Sequence, residues 1–183
     1  SLCCGQKLSD CQDSSLIKEG ISVNSTAFLD HSDKEKIVAL GNPTEGALLL
    51  WLYDQEVDYL QLREDAEVID QLPFSTERKF MATLVNSPLI GKRVLYIKGA
   101  PEIVMGMCST IPATTPDEIS QRLLQYQQQA MRTLGFAYSI IPDGVDPIVD
   151  NRLVCDDIVF IGITAISDPV REDVPAAINS CID

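Results

Sequence analysis

Apolar and polar positions along this chain alternate between a helical and an extended period. Ala47–Leu52, with Tyr53 beyond it, is apolar on nearly every side and follows Asn42-Pro43-Thr44-Glu45. Asn is a preferred cap, Pro is favoured at the first helical position, and Glu three residues after the cap completes a capping-box pattern. This predicts a deeply buried helix. Around Glu67–Leu72 and Lys79–Val85 the pattern turns extended, with Met81, Thr83 and Val85 alternating against Phe80, Ala82 and Leu84. Asn86-Ser87-Pro88 and Gly91 supply turn chemistry before the β-branched and aromatic run Arg93–Ile97, which reads as an antiparallel hairpin or meander.

Gly99-Ala100-Pro101-Glu102 ends that strand and starts a further helix. Thr114-Thr115-Pro116-Asp117-Glu118 repeats the grammar and launches a polar helix expected to run from Glu118 to about Thr133. Leu134–Ile141 reads as a strand, and Ile158–Ile166 as a strand buried on both faces. Ser167-Asp168-Pro169 breaks the chain, and Val170–Ile182 reads as a closing helix with an apolar stripe of Val174, Ala177, Ile178 and Cys181. Residues 1–20 show no clear period. A start without Met and a last helix with nothing after it to pack on point to a piece of something longer.

At 183 residues, 45% hydrophobic and 22% charged, the chain is of ordinary single-domain size and composition. Lys and Arg number 14 against 27 Asp and Glu, a net charge of −13, which argues against a nucleic acid as partner. An anionic ligand must therefore be held by a local cluster of positive charge. No apolar run is long enough to cross a membrane. Six cysteines without a CxxC pair, and His31 as the single histidine, make a structural zinc site a poor expectation. Cys108, Cys155 and Cys181 read as small core hydrophobes.

Four segments concentrate the chemistry: GNPTEGALL (41–49), LPFSTERKFM (72–81), YIKGAPE (96–102) and AMRTLGFAY (130–138). Lys79 follows Phe74 by five residues, and Lys98 stands before Gly99 at a strand-to-helix switch. An exposed aromatic with two or three cations suits a nucleotide, a flat base to stack on and phosphates to neutralise. The same residues have a plain reading, with Phe74 in the core and Lys79 and Lys98 as solvated strand ends, and pattern alone favours it.

In order and spacing these segments resemble the nucleotide-binding domain of P-type cation-transporting ATPases, on the calcium-pump side of the family. KGAPE is the most specific; FSTERK resembles the F-S-x-x-R-K stretch, and T-E-x-A-L, R-x-L-x-x-A and a closing D-P-x-R complete the set. The resemblance covers residues 41–183, and residues 1–40 carry little of it. It implies an α/β fold in the loose (α+β) sense, a mostly antiparallel sheet of six or seven strands flanked by helices, over residues 1–166. Residues 167–183 would then be the hinge and first helix returning to the phosphorylation domain.

By the same resemblance, Phe74 matches the aromatic that stacks on adenine, and Lys79 the lysine lining the adenine and phosphate side. Lys98, with Gly99, matches the pocket floor, Glu45 the helix-start acid near the adenine amino group, and Arg132 the arginine reaching the phosphates. Asp168 and Arg171 match the hinge. Glu45 also reads as a capping residue, Arg132 as a salt-bridging residue of the long helix, and Asp168 and Arg171 as caps of the last one. Thr76 stands where many family members carry a basic residue.

The D-K-T-G-T loop that takes the phosphoryl group, and the T-G-D and G-D-G-x-N-D segments, do not occur in these residues. The resemblance therefore implies an ATP-binding module in the cytoplasmic part of a membrane pump, inactive alone. Its partners would be ATP and the phosphorylation and actuator domains of the same polypeptide, with Mg²⁺ held mainly outside this piece. Weak ATP binding follows, in the range of ~0.1–1 mM. The competing reading is an acidic protein-interaction domain without nucleotide.

Overall fold

The computed structural model describes residues 2–3, 6–7, 14–32, 37–112 and 115–167. Its main sheet contains seven strands. In chain order these are β1 (Leu2–Cys3), β2 (Gln6–Lys7), β5 (Glu67–Leu72), β6 (Phe80–Ser87), β7 (Lys92–Gly99), β8 (Arg132–Ile141) and β11 (Val159–Ile166). Their spatial order is β2-β1-β11-β8-β7-β6-β5, and every pairing is antiparallel. Two small hairpins accompany it: β3 (Phe28–Asp30) with β4 (Val38–Leu40), and β9 (Ile148–Val149) with β10 (Arg152–Leu153). The expected meander and strand count are present.

The period-2 reading of Lys79–Val85 holds, and both faces are covered. Phe80, Ala82 and Leu84 join Leu95 and Ile97 in a core closed by α4 (Pro101–Met107) and α5 (Pro116–Gln128). On the opposite face, α1 (Ser14–Val23), α2 (Pro43–Asp54) and α3 (Tyr59–Asp65) bury Ile17, Ile21, Leu48, Leu49, Leu52 and Tyr59 against Phe136 and Ile161. Strands sandwiched in this way lose the polar alternation that a half-exposed sheet would show.

Three expectations are corrected. Residues 1–20 show no clear period in the sequence, but helix α1 begins within them at Ser14 and runs to Val23. Its pattern is hidden because a glutamate and a glycine sit on the inner face. Glu19 is 0% exposed, and its Oε2 accepts hydrogen bonds from Ser87 Oγ (2.7 Å) and from the Tyr96 hydroxyl. At Gly20 a Cβ would come within 2.8 Å of the Tyr96 ring.

The polar helix α5 stops at Gln128 rather than near Thr133. Ala130 takes a left-handed conformation (φ 55°), while Ala130 N–H donates to Gln127 O (3.0 Å) and Met131 N–H to Tyr126 O (3.0 Å). This is a Schellman closure made by alanine where glycine is usual, so the stop carried no glycine signal. Arg132 consequently begins strand β8 and is not on the helix.

The capping box expected at Asn42 is only half formed. Asn42 Oδ1 accepts from Thr44 N (2.9 Å) and Glu45 N (3.3 Å), but the Glu45 carboxylate turns inward instead of returning to the cap. The box at Thr115 and Glu118 is complete. Cys108 and Cys155 pack against the sheet core as expected. Asp168, Arg171, Cys181 and the closing helix lie outside the described residues.

Candidate functional site

The site grows from the end of β7. Register places Met81 and Phe136 on either side of Lys98, so its side chain leaves the sheet on the face of α1–α3. Lys98 is only 7% exposed. Its Nζ lies 2.5 Å from Oε1 of Glu45, the third residue of α2. Oε2 of Glu45 accepts from Thr26 N (2.8 Å), Thr26 Oγ1 (2.9 Å), Ala27 N (3.1 Å) and Ser25 Oγ (3.3 Å). Burial pushes the Glu45 carboxyl upward, but the Lys98 ammonium and the bonds from Lys98 and Thr26 outweigh it and hold it below the usual range. Burial pulls Lys98 down from the usual lysine range, against the pull of Glu45.

Arg63 completes this frame. Its Nε donates to Ser22 O (2.5 Å) and its Nη2 to Ala27 O (2.9 Å) and Ser25 O (3.3 Å). Residues 22–27 are therefore strung between a carboxylate that takes their N–H groups and a guanidinium that takes their carbonyls. The guanidinium carbon stands 5.0 Å from the Phe28 ring centroid and 4.8 Å from that of Tyr59, which fixes its plane. Neither Thr26 nor Arg63 was marked by any sequence pattern. Their roles arise from contacts between segments far apart in the chain.

Beside this frame opens a cavity of about 470 Å³. Phe74, Lys79, Lys98, Gly99 and Glu45 all line it, which brings five of the sequence-derived candidates together. Phe74 is 58% exposed, so the reading that buried it in the core does not hold. The turn that presents it is tied internally: Lys79 N–H donates to Ser75 O (2.7 Å), Arg78 N–H to Ser75 Oγ (3.1 Å) and Arg78 Nη2 to Pro73 O (2.7 Å). Lys79 is exposed and left-handed (φ 60°).

Gly99 allows a close approach of backbone. A Cβ there would stand 2.4 Å from the Lys79 carbonyl oxygen, which accepts from Ala100 N (3.0 Å). The missing side chain lets the Phe74–Lys79 turn close onto β7. Arg132 sits at the rim, its Nη1 donating to Oγ1 of Thr44, a lining residue (3.2 Å). Thr76 is exposed on the same turn.

An open cavity walled by an exposed ring, with one neutralised cation at its floor and exposed cations at its edge, fits a nucleotide. It does not fit a divalent metal. Among the described residues Glu45 is the sole lining carboxylate, and both its oxygens are engaged. No group of three or more His, Cys, Asp or Glu among the described residues is placed to hold a metal ion. No helix among them is long and apolar enough to cross a membrane.

Comparison with known proteins gives the family. Residues 13–173 match the family described as P-type ATPase, cytoplasmic domain N. Calcium-transporting ATPase 2 of Cryptococcus neoformans is 32% identical over 91% of the chain, which spans 14% of that protein. Calcium-transporting ATPase PAT1 of Dictyostelium discoideum is 34% identical over the same share of the chain and 15% of its own length. Human plasma membrane calcium-transporting ATPase 3 is 32% identical, again over 91% of the chain and 15% of its own length. The chain thus spans about one seventh of the length of such relatives. It belongs to the cytoplasmic N-domain family of the P-type ATPases.

Proposed function

We propose that this chain binds ATP in the cavity beside Phe74 and Lys98, on behalf of a calcium-transporting pump. The observation that carries the reading is that one open cavity holds an exposed aromatic face and two lysines in a protein of net charge −13. A purine stacked on Phe74 gains contact area and dispersion that water does not replace. Lys79 and Arg132, exposed at the edge, supply the local positive charge a triphosphate needs against the overall field. Lys98, with Glu45 beside it, forms a nearly neutral floor that shapes the pocket without drawing the phosphates inward.

The γ-phosphate then points away, toward an aspartate in another part of the pump. Phosphoryl transfer rests mainly on positioning and charge stabilisation, so this domain's share is to orient the nucleotide. Mg²⁺ travels with the phosphates and is held outside this cavity, whose carboxylate is committed. The setting is a cytoplasmic domain of a membrane protein that meets its phosphorylation and actuator domains within one polypeptide, with Asp168 and Arg171 in the hinge. A titration with millimolar ATP, followed by amide chemical shifts, tests the reading. Shifts confined to residues around Phe74, Lys79 and Lys98 support it; an unmoved spectrum replaces it with the acidic interaction domain.

A further inference from the structure

The Phe74 ring is exposed, so its direction across the cavity is inherited from the backbone that carries it. Leu72, two residues earlier, is buried in the core and anchors the chain. Pro73 follows, with φ locked by its pyrrolidine ring. The freedom left is rotation of the Pro73–Phe74 peptide unit. That unit is planar, so holding the Pro73 oxygen at one end orients the bond to Phe74 Cα at the other. Arg78 Nη2 donates to this oxygen at 2.7 Å. Beyond Phe74, Ser75 closes the turn: its Oγ accepts from Arg78 N–H (3.1 Å) and its O from Lys79 N–H (2.7 Å). Residue 74 is thereby held from both sides, and Arg78 takes part in each hold.

The guanidinium does not act as a charge at the cavity. Lys79 lines the cavity, whereas Arg78 does not. Among the described residues Arg78 makes no ion pair, and its Nε is buried without a hydrogen-bond partner. A buried donor without an acceptor costs free energy that hydration would recover if the side chain swung out. A surface turn that keeps this cost serves the geometry of a site more than the stability of the fold. Resting on the ATP reading above, we propose that Arg78 is a positioning residue for the stacking platform. It holds the Pro73–Phe74 peptide so that the phenyl ring stands ready before the nucleotide arrives, and it contributes no charge to the phosphates. Ordering the ring in advance removes that cost from the binding step.

The test titrates ATP and adenosine, which keeps the base and ribose but has no phosphate, into the unaltered protein and into Arg78→Met, followed by amide chemical shifts. Loss of one net hydrogen bond that acts through the ring should weaken both ligands by the same factor, about 3- to 10-fold. In a Phe74→Ala background, adding Arg78→Met should weaken neither ligand further. Backbone nitrogen relaxation reads the hold without any ligand: the Phe74 amide order parameter should fall from about 0.85 toward about 0.6 in Arg78→Met. Weakening of ATP alone would make Arg78 a phosphate contact and overturn the proposal. An unchanged order parameter at Phe74, or an undiminished effect of Arg78→Met without the ring, would overturn it as well; in all three cases ATP binding stands. If the unaltered protein binds neither ligand, the ATP reading falls and the positioning role with it.

Discussion

Lys98 Nζ meets Glu45 Oε1 at 2.5 Å inside the protein, joining β7 to the first turn of α2 across 53 residues of sequence. The cation that the motif advertises is already partnered, and its partner is the glutamate that sequence spacing assigns to a cap. Two conspicuous site residues thus hold each other, and the exposed groups around them are left to meet a ligand.

This pairing sets a stability expectation. Lys98→Met leaves a buried carboxylate without its counter-ion and should cost about 3–5 kcal/mol. Adding Glu45→Gln removes the stranded charge while keeping an acceptor for Thr26 and Ala27. The two changes should therefore be non-additive, with a coupling of about 1–3 kcal/mol read from urea unfolding of both singles and the double. Strict additivity would mean the pair does not interact.

The same carboxylate predicts a pH dependence. Its folded-state pKa is depressed, so the folded state binds fewer protons than the unfolded one in the acid range. The contribution is complete above the unfolded value of about 4.3 and is lost as pH falls through the lower folded value. Denaturation midpoints measured downward from pH 6 should decline, and Glu45→Gln should flatten that decline.

Phe74 separates binding from folding. Its ring is 58% exposed, so Phe74→Ala should change stability by no more than about 0.5 kcal/mol. Losing one stacking platform should weaken ATP by about 1–3 kcal/mol, or roughly 5- to 150-fold. Calorimetry beside a melting curve reads both; a destabilised but fully binding variant would assign the ring to packing instead.

Gly99→Ala should act on folding and binding together. The added methyl would lie 2.4 Å from the Lys79 carbonyl and 2.6 Å from Phe80 Cβ, atoms of the neighbouring strand entrance that are not free to swing aside. A loss of about 1–3 kcal/mol in denaturant unfolding is expected, with ATP affinity falling because the Phe74 turn is displaced. Ala130→Gly should be stabilising by about 0.5–1 kcal/mol, since φ 55° suits glycine and strains alanine. An unchanged melting temperature would show that the closure of α5 bears no strain.

The sequence alone determined most of what repeats locally. Pro at the first helical position marked the starts of α2, α4 and α5, an extended pattern over Lys79–Val85 marked β6, and the β-branched and aromatic run Arg93–Ile97 marked β7. The short segments around Phe74, Lys79 and Lys98 pointed to the cavity because neighbouring strands carry them to one sheet end. What only the tertiary structure decided depends on partners distant in the chain. Glu19 makes α1 look polar until Tyr96 and Ser87 accept it into the core. Ala130 ends α5 without the residue that usually announces such an end, moving Arg132 onto a strand. Thr26 and Arg63 carry no motif: their positions are fixed by hydrogen bonds that exist only once separate segments have packed together.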